Sequence, residues 1–187
     1  TYTVLKDMIN HVVQEEGYTI DAPSLDLIAM LGNGSFRDTQ GVLQKLMSYS
    51  KDKAITRDEA ELVTGAPSSK MIHDLITALN SNDSDTALHT LHRAEEQSID
   101  AYIFMQMLVQ SVRNILKVRF SPQMATILKK DLGDDEFIFL ESIAKEKNNI
   151  NSELLNQLLS SYSQMGDAYL KYTPLELAIL KMISNNS

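Results

Sequence analysis

Gly34-Ser35-Phe36-Arg37-Asp38, running on through Thr39-Gln40-Gly41-Val42-Leu43-Gln44-Lys45-Leu46-Met47, is the stretch from which the rest of the chain can be read. Ser35 stands three residues before Asp38, the spacing at which a serine hydroxyl covers a free backbone N–H at a helix start. Leu43, Leu46 and Met47 then return at helical spacing. A helix therefore opens here, with Arg37 in its first turn at a defined distance from a capped end. Taken alone, an arginine in such a place is a surface residue bridging to Asp38 or Glu59, worth about 0–1 kcal/mol.

The flanking sequence repeats the same grammar. Upstream, Val4, Leu5, Met8, Ile9, Val12 and Val13 define an amphipathic helix that Gly17 stops. Tyr18-Thr19-Ile20-Asp21 is a short extended connector, and Asp21 with Pro23 starts a helix carrying Leu25, Ile28, Ala29 and Leu31 that ends at Gly32-Asn33-Gly34. Downstream, Ser48 to Lys53 is polar and loop-like. Thr56-Arg57-Asp58-Glu59 is a capping box that opens a short helix ending at Gly65. Gly65-Ala66-Pro67-Ser68-Ser69 is the strongest linker signal in the chain.

Longer helices are expected beyond it. One carries Met71, Ile72, Leu75, Ile76 and Leu79, and a second starts at Asn82-Asp83-Ser84. The most apolar runs from Ile103 to Phe120, with Phe104, Met107, Leu108, Val112, Ile115 and Leu116 on one face. Ile103, Met105 and Val109 widen that face, which places this helix at the centre of a bundle. Ser121-Pro122 restarts a short helix to Leu128, and Gly133 precedes one with Phe137, Leu140, Ile143 and Ala144. Asn151 opens a helix expected to continue through Leu154, Leu155, Leu158, Leu159, Tyr162, Met165 and Tyr169. Thr173-Pro174-Leu175-Glu176 reads as a last capping box. No run alternates with period two for long enough to be a strand. With seven glycines and four prolines among 187 residues, the chain is expected to be all-α.

Hydrophobic residues make up 43% and charged residues 22%, ordinary for a globular protein. The formal net charge of −8 argues against a free-standing grip on nucleic acid, which depends on cations displacing counterions. It also weakens a helix-turn-helix reading of the third helix, where Arg37 and Lys45 are the only cations. No cysteine is present, which removes disulfides, thiolate zinc sites and cysteine nucleophiles. Nothing resembles a signal peptide or a membrane-length apolar span, so no membrane partner and a cytoplasmic location are expected. Thr1 is not an initiator methionine and helix begins at once, as expected of a piece of a longer protein.

Catalytic signatures are few. The chain has no GxxxxGK[ST] phosphate loop, and Gly32 and Gly34 precede no lysine. No glutamate has a histidine three residues later, as a di-metal carboxylate bundle requires. No Gly-x-Ser-x-Gly elbow exists. His89 and His92 share a helix face but lack further ligands, and read as surface histidines rather than a metal site. Lys145-Glu146-Lys147 reads as a solvated helix end, and Met105, Met107 and Met165 as core filler. No catalytic residue and no metal site are expected in this chain.

At Gly34-Ser35-Phe36-Arg37-Asp38, with Leu43 beyond, the chain resembles the bacterial DNA polymerase III gamma/tau subunit in the part that follows its ATPase core. There a Gly-Ser-x-Arg-Asp motif opens a helix of the AAA+ lid. Glu15-Glu16-Gly17 with Ile20-Asp21 is similar to the connector between the first lid helices. Ile55-Thr56 and Val63-Thr64-Gly65 fall where the family starts and ends its next helix. Further on, Ile76-x-x-Leu79, Asp85-x-Ala87-Leu88 and Leu91 follow the first collar helices, and Tyr172-Thr173-Pro174-Leu175-Glu176 is similar to the closing segment. The family continues its motif Asp-Ala-Leu-Ser-Leu-Leu-Asp-Gln, whereas Thr39, Gln40, Gly41, Gln44 and Lys45 intervene here. Gly41 costs about 1 kcal/mol against alanine inside a helix, a cost that close packing would offset.

The resemblance implies a small AAA+ lid bundle over residues 1–65 and a larger helical collar domain over 66–187. It implies that Arg37 is the sensor-2 residue, supported by Gly34, Ser35 and Asp38, reaching the terminal phosphate of ATP. ATP and Mg would be held by the ATPase core of the full-length parent, and no cofactor by this part, which lacks the phosphate loop. The implied partners are other clamp-loader subunits (gamma/tau copies, delta and delta-prime) through the collar, and the sliding clamp and primed DNA through the whole complex. The alternative of a different class is a free-standing helical scaffold that takes a partner helix in an apolar groove.

Overall fold

The computed structural model describes residues 2–32, 34–146 and 149–185. Asn33 of the expected helix stop and Lys147 of the Lys145-Glu146-Lys147 run lie outside the described residues. Among the described residues there are eleven helices and two strands of two residues each, so the chain is all-α. It divides into two compact units, Thr1–Ala66 and Pro67–Ser187.

The first unit contains α1 (Tyr2–Glu15), β1 (Thr19–Ile20), α2 (Ala22–Leu31), α3 (Phe36–Tyr49), β2 (Ala54–Ile55) and α4 (Arg57–Thr64). Leu5, Ile9 and Val13 of α1 meet Leu27, Ile28, Leu43, Leu46, Ile55 and Ala60 in one core, all 2% exposed or less. The extended connector at Thr19–Ile20 forms the only pairing of strands among the described residues, parallel to β2 with Thr19 opposite Ala54 and Ile20 opposite Ile55. Asp21 closes this pairing with one carboxylate. Its Oδ1 accepts from Ser24 N (2.7 Å), capping α2, and its Oδ2 accepts from Arg57 N (3.0 Å) at the start of α4. The capping box at Thr56 and Glu59 forms as expected, and Gly65 ends α4 in the left-handed region at φ 72°.

The corner between α2 and α3 is built on one glycine. A Cβ at Gly32 would lie 1.8 Å from Thr39 Oγ1 and 3.0 Å from Thr39 Cβ. Thr39 is fully buried, and its hydroxyl donates to Ser35 O at 2.8 Å. The threonine that replaces the alanine of the resembled motif thus fills the space that Gly32 leaves. Gly32→Ala is expected to destabilise the unit by about 1–3 kcal/mol through overpacking. Thr39→Ala in the same background should recover most of that loss, because the two residues share one space. Thermal unfolding of the wild-type chain and the two variants checks this, and an unchanged Tm for Gly32→Ala would contradict it.

The second unit contains α5 (Ser69–Asn80), α6 (Ser84–Glu96), α7 (Ala101–Phe120), α8 (Pro122–Asp131), α9 (Asp134–Lys145), α10 (Ser152–Gln164) and α11 (Thr173–Asn185). α7 runs through its centre, packed by α5, α8, α9 and α10. Phe104, Met105, Leu108, Val112 and Ile115 are completely buried on it. Of the residues expected to widen the apolar face, Met105 is buried while Ile103 and Val109 are only half-buried; Leu116, expected on the main face, is also half-buried, whereas Asn114 is buried. Asp100 caps α7 two residues before Tyr102, so the helix begins earlier than the apolar periodicity indicated.

Two expected helix limits shift. α10 ends at Gln164 instead of continuing through Met165 to Tyr169, and Tyr169 is 97% exposed. Met165 caps the helix, its N–H donating to Ser161 O and Tyr162 O, and Lys171 Nζ donates to the carbonyls of Met165 (3.0 Å) and Gly166 (3.1 Å) in the turn that follows. α11 already includes Thr173, so that residue is the first of the helix rather than its cap. The N–H groups of Leu175 and Glu176 turn to Tyr172 O, both at 3.0 Å. Tyr172 also donates from its hydroxyl to Ile99 O (3.2 Å) and meets Phe104 edge-on. Burial, followed by the carboxylates of Asp100 and Glu95, pushes its phenol above the ordinary value, so it remains a donor.

Arg119 closes the far end. Its Nε donates to Ala144 O (3.0 Å), Nη2 to Ile143 O (3.2 Å) and Glu146 O (2.8 Å), and Nη1 to Ile150 O. One guanidinium thus receives the last carbonyls of α9 and the turn that follows. Partial burial lowers its pKa from the ordinary arginine value.

Candidate functional site

The local backbone around Arg37 is set by the end of α2. Ser35 N donates to Gly32 O at 2.7 Å, and Gly34 takes φ 84°, a conformation open to glycine and strained for other residues. Ser35 is then extended, and its Oγ accepts from Asp38 N at 3.2 Å. The cap runs in one direction, from the N–H of Asp38 to the serine. Thr39, Leu43 and Leu46 fix the inner face of α3 in the core. Arg37 therefore projects from a helix end that three buried side chains hold.

Arg37 is exposed and makes no ion pair among the described residues. The bridges to Asp38 or Glu59 open to it as a surface residue are not formed. Glu59 accepts instead from Thr56 N at 3.2 Å. A cation in the first turn of a helix also faces the positive end of the helix dipole, at a cost of about 0.3–1 kcal/mol. Arg37 thus gains nothing visible from its own fold. Its guanidinium is an exposed, unpartnered donor set carried on a helix end that the core holds, a group whose chemistry suits an anionic oxygen.

Gly41 lies one turn along the same helix and is exposed. A Cβ there would meet nothing within 4 Å, so the close packing expected of this glycine does not occur within the chain. Gly41→Ala is expected to raise stability by about 0.5–1 kcal/mol, as for an open helix-interior position. Urea unfolding checks this, and a fall in stability would contradict it.

The remaining sequence candidates are dispersed. His89 and His92 are exposed on α6, with His92 Nε2 3.4 Å from Glu96. Among the described residues no group of three or more histidines, aspartates or glutamates could hold a metal ion. Met105 and Met165 are fully buried and Met107 nearly so, which makes all three core residues. No helix among the described residues is long and apolar enough to cross a membrane. Two groups escaped the sequence reading. His73 stacks on Phe139 with ring centroids 3.7 Å apart and places Nε2 2.8 Å from Glu136. Arg119 forms the carbonyl clamp. Both depend on contacts between helices distant in sequence, and no spacing signals them.

A two-unit all-α chain of this kind has the fold of clamp-loader subunits. It is similar to the Bacillus subtilis DNA clamp loader delta protein, with a TM-score of 0.53 at 19% identity over 98% of this chain and 57% of that one. The family model for DNA polymerase III subunits gamma and tau domain III matches residues 55–187, and the chain belongs to that family. The tau subunit of DNA polymerase III from Bacillus subtilis is 28% identical over 129 residues, 69% of this chain and 23% of that protein. The gamma/tau subunit from Mycobacterium tuberculosis is 23% identical over 131 residues, 70% of this chain and 23% of that protein. Replication factor C subunit 3 from Oryza sativa is 22% identical over 135 residues, 72% of this chain and 36% of that protein. The chain thus spans 23% of the length of these bacterial relatives. The matched family span begins at Ile55, after the Arg37 segment.

Proposed function

We propose that this chain is the lid-and-collar part of a DNA polymerase III clamp-loader subunit, serving ATP-dependent loading of a sliding clamp on primed DNA. The observation that carries the proposal is membership of the gamma and tau domain III family over residues 55–187. Pro67–Ser187 acts as the collar, holding subunits in a ring with further gamma/tau copies, delta and delta-prime. Thr1–Ala66 acts as the lid. Hydrolysis belongs to the ATPase core of the parent, which supplies the phosphate loop and the Mg site, while this chain contributes binding groups only.

Arg37 serves as the ATP sensor of the lid. The residues present fit a terminal phosphate: a guanidinium donates in a fixed fork, stays charged, and here has no internal carboxylate to neutralise it. Gly34 and Ser35 set where the helix starts, and Asp38 closes the cap. ATP in the core would then favour one lid orientation through this differential contact.

Co-elution of the 187-residue chain with purified delta and delta-prime subunits in size-exclusion chromatography tests the collar assignment. A shared peak at the mass of a complex is expected. Separate elution at concentrations where the parent subunit assembles would overturn it.

A further inference from the structure

Lys6, Lys70 and Lys145 pair with Asp26, Asp74 and Glu141, and Lys53, Lys129 and Lys171 lie over aromatic rings. Lys117 does neither among the described residues. It is half-buried on α7, and Arg113, which is exposed, stands four residues before it on the same helix. Residues at this spacing are neighbours on a helix surface, with Cβ atoms about 5–6 Å apart. Two cations are thus held side by side.

The carboxylates on the helices packed against α7 are engaged elsewhere. On α9, Glu136 meets His73 at 2.8 Å and Glu141 meets Lys145 at 2.8 Å. Asp134 and Asp135 open that helix, whereas Arg119, two residues beyond Lys117, grips its last carbonyls. On α5, Asp74 holds Lys70, and on α10, Glu153 accepts from Gln157 at 3.4 Å. None of these carboxylates forms an ion pair with Arg113 or Lys117 among the described residues.

Partial burial, and then the Arg113 cation, lower the Lys117 pKa from its ordinary value. Desolvation and a neighbouring cation are the two influences that turn a lysine amine into a nucleophile toward carbonyl carbon. A guanidinium one turn away adds a second capability. It donates in a planar fork that matches phosphate oxygens.

We propose that Arg113 and Lys117 form a modification site for small acyl phosphates, with Arg113 holding the phosphate and Lys117 receiving the acyl group. The neutral Lys117 Nζ attacks the acyl carbon. The bond from that carbon to the bridging oxygen breaks, and phosphate leaves with the bonding pair. The proton lost by the amine passes to the departing phosphate. The products are an acyl-lysine and inorganic phosphate, so no oxidant, reductant or further reactant is required. Acylation also removes one of two adjacent like charges and leaves an amide in place of a partly buried ammonium. The folded unit therefore favours the modified state electrostatically.

The test is the rate of modification at each lysine. The 187-residue chain is incubated with acetyl phosphate at fixed pH, and peptide mass spectrometry follows each site over time. Lys117 should react at least about fivefold faster than Lys51, Lys130 and Lys181, although those three are exposed and it is half-buried. A parallel reaction uses the N-hydroxysuccinimide ester of acetic acid, which transfers the same group but carries no phosphate. Arg113→Gln should slow acetyl phosphate at Lys117 at least about fivefold more than it slows the ester, because only the first reagent uses the guanidinium as an anchor. The variant should keep the wild-type circular dichroism, since Arg113 is exposed. A Lys117 rate no higher than those of Lys51, Lys130 and Lys181 would overturn the site. Equal slowing of both reagents in Arg113→Gln would overturn the phosphate contact and, with it, the preference for acyl phosphates.

Discussion

Replacing Arg119 with methionine is expected to lower the stability of the second unit by about 2–4 kcal/mol, seen as a fall in Tm of roughly 10 °C. The guanidinium donates to the Ile143 and Ala144 carbonyls at the end of α9 and to those of Glu146 and Ile150 in the turn beyond it, while Ile143 O also accepts from Glu146 N at 3.2 Å. A charge-assisted hydrogen bond contributes about 1.5–3 kcal/mol net, and bonds sharing one donor group do not add in full. Methionine fills much of the same volume, which isolates the loss of the donors from a loss of packing. Arg119→Lys should recover less than half of the difference, since an ammonium cannot fork toward carbonyls on both sides. Equal stability of the methionine and wild-type proteins would show that water satisfies those carbonyls equally well.

Arg37→Ala, introduced into the full-length parent, is expected to reduce ATP-dependent clamp loading by about 10²-fold, the usual cost of deleting one charged donor aimed at a reacting group. Folding should hardly respond. Arg37 is exposed and has no ion pair among the described residues, so its removal should change stability by less than about 0.5 kcal/mol. Relief of the unfavourable helix-dipole contact would even favour the variant slightly. Arg37→Lys should rescue only part of the activity, because a point charge does not reproduce the planar donor pair. Clamp loading and ATP hydrolysis at wild-type rates in Arg37→Ala would remove Arg37 from nucleotide sensing and leave the collar assignment standing.

Much of this architecture could be read from local chemistry. Ser35 before Asp38, Thr56 before Glu59 and Ser121 before Pro122 are caps whose partners lie within three residues, and all three form. The apolar face of α7 also follows from spacing, since Phe104, Leu108, Val112 and Ile115 recur at helical intervals. What could not be read depends on distant groups. α10 stops at Gln164 and Lys171 reaches back to the carbonyls of Met165 and Gly166 just beyond it, while Tyr162, Met165 and Tyr169 alone keep a helical rhythm. Asp21 caps α2 by local rule, yet its second bond, to Arg57 N, spans 36 residues. The position of Arg37 was legible from its own motif. That Gly41 faces open space was not, because a glycine in sequence looks the same whether a neighbour crowds it or nothing does.

The contact between Gly32 and Thr39 bears on how the first unit would respond to a load. A helix of fourteen residues is a rod of about 21 Å, stiff along its axis. Its inner side is seated by Thr39, Leu43 and Leu46, and the turn leading into it is closed at Gly32 with no slack for a single methyl group. A pull on the Arg37 guanidinium would therefore bear on a helix whose inner face is seated in the core. α3 would act as a lever under such a load, with the close approach of Gly32 and Thr39 as its fulcrum. Enlarging that corner with Thr39→Ala would loosen the fulcrum while leaving the arginine in place.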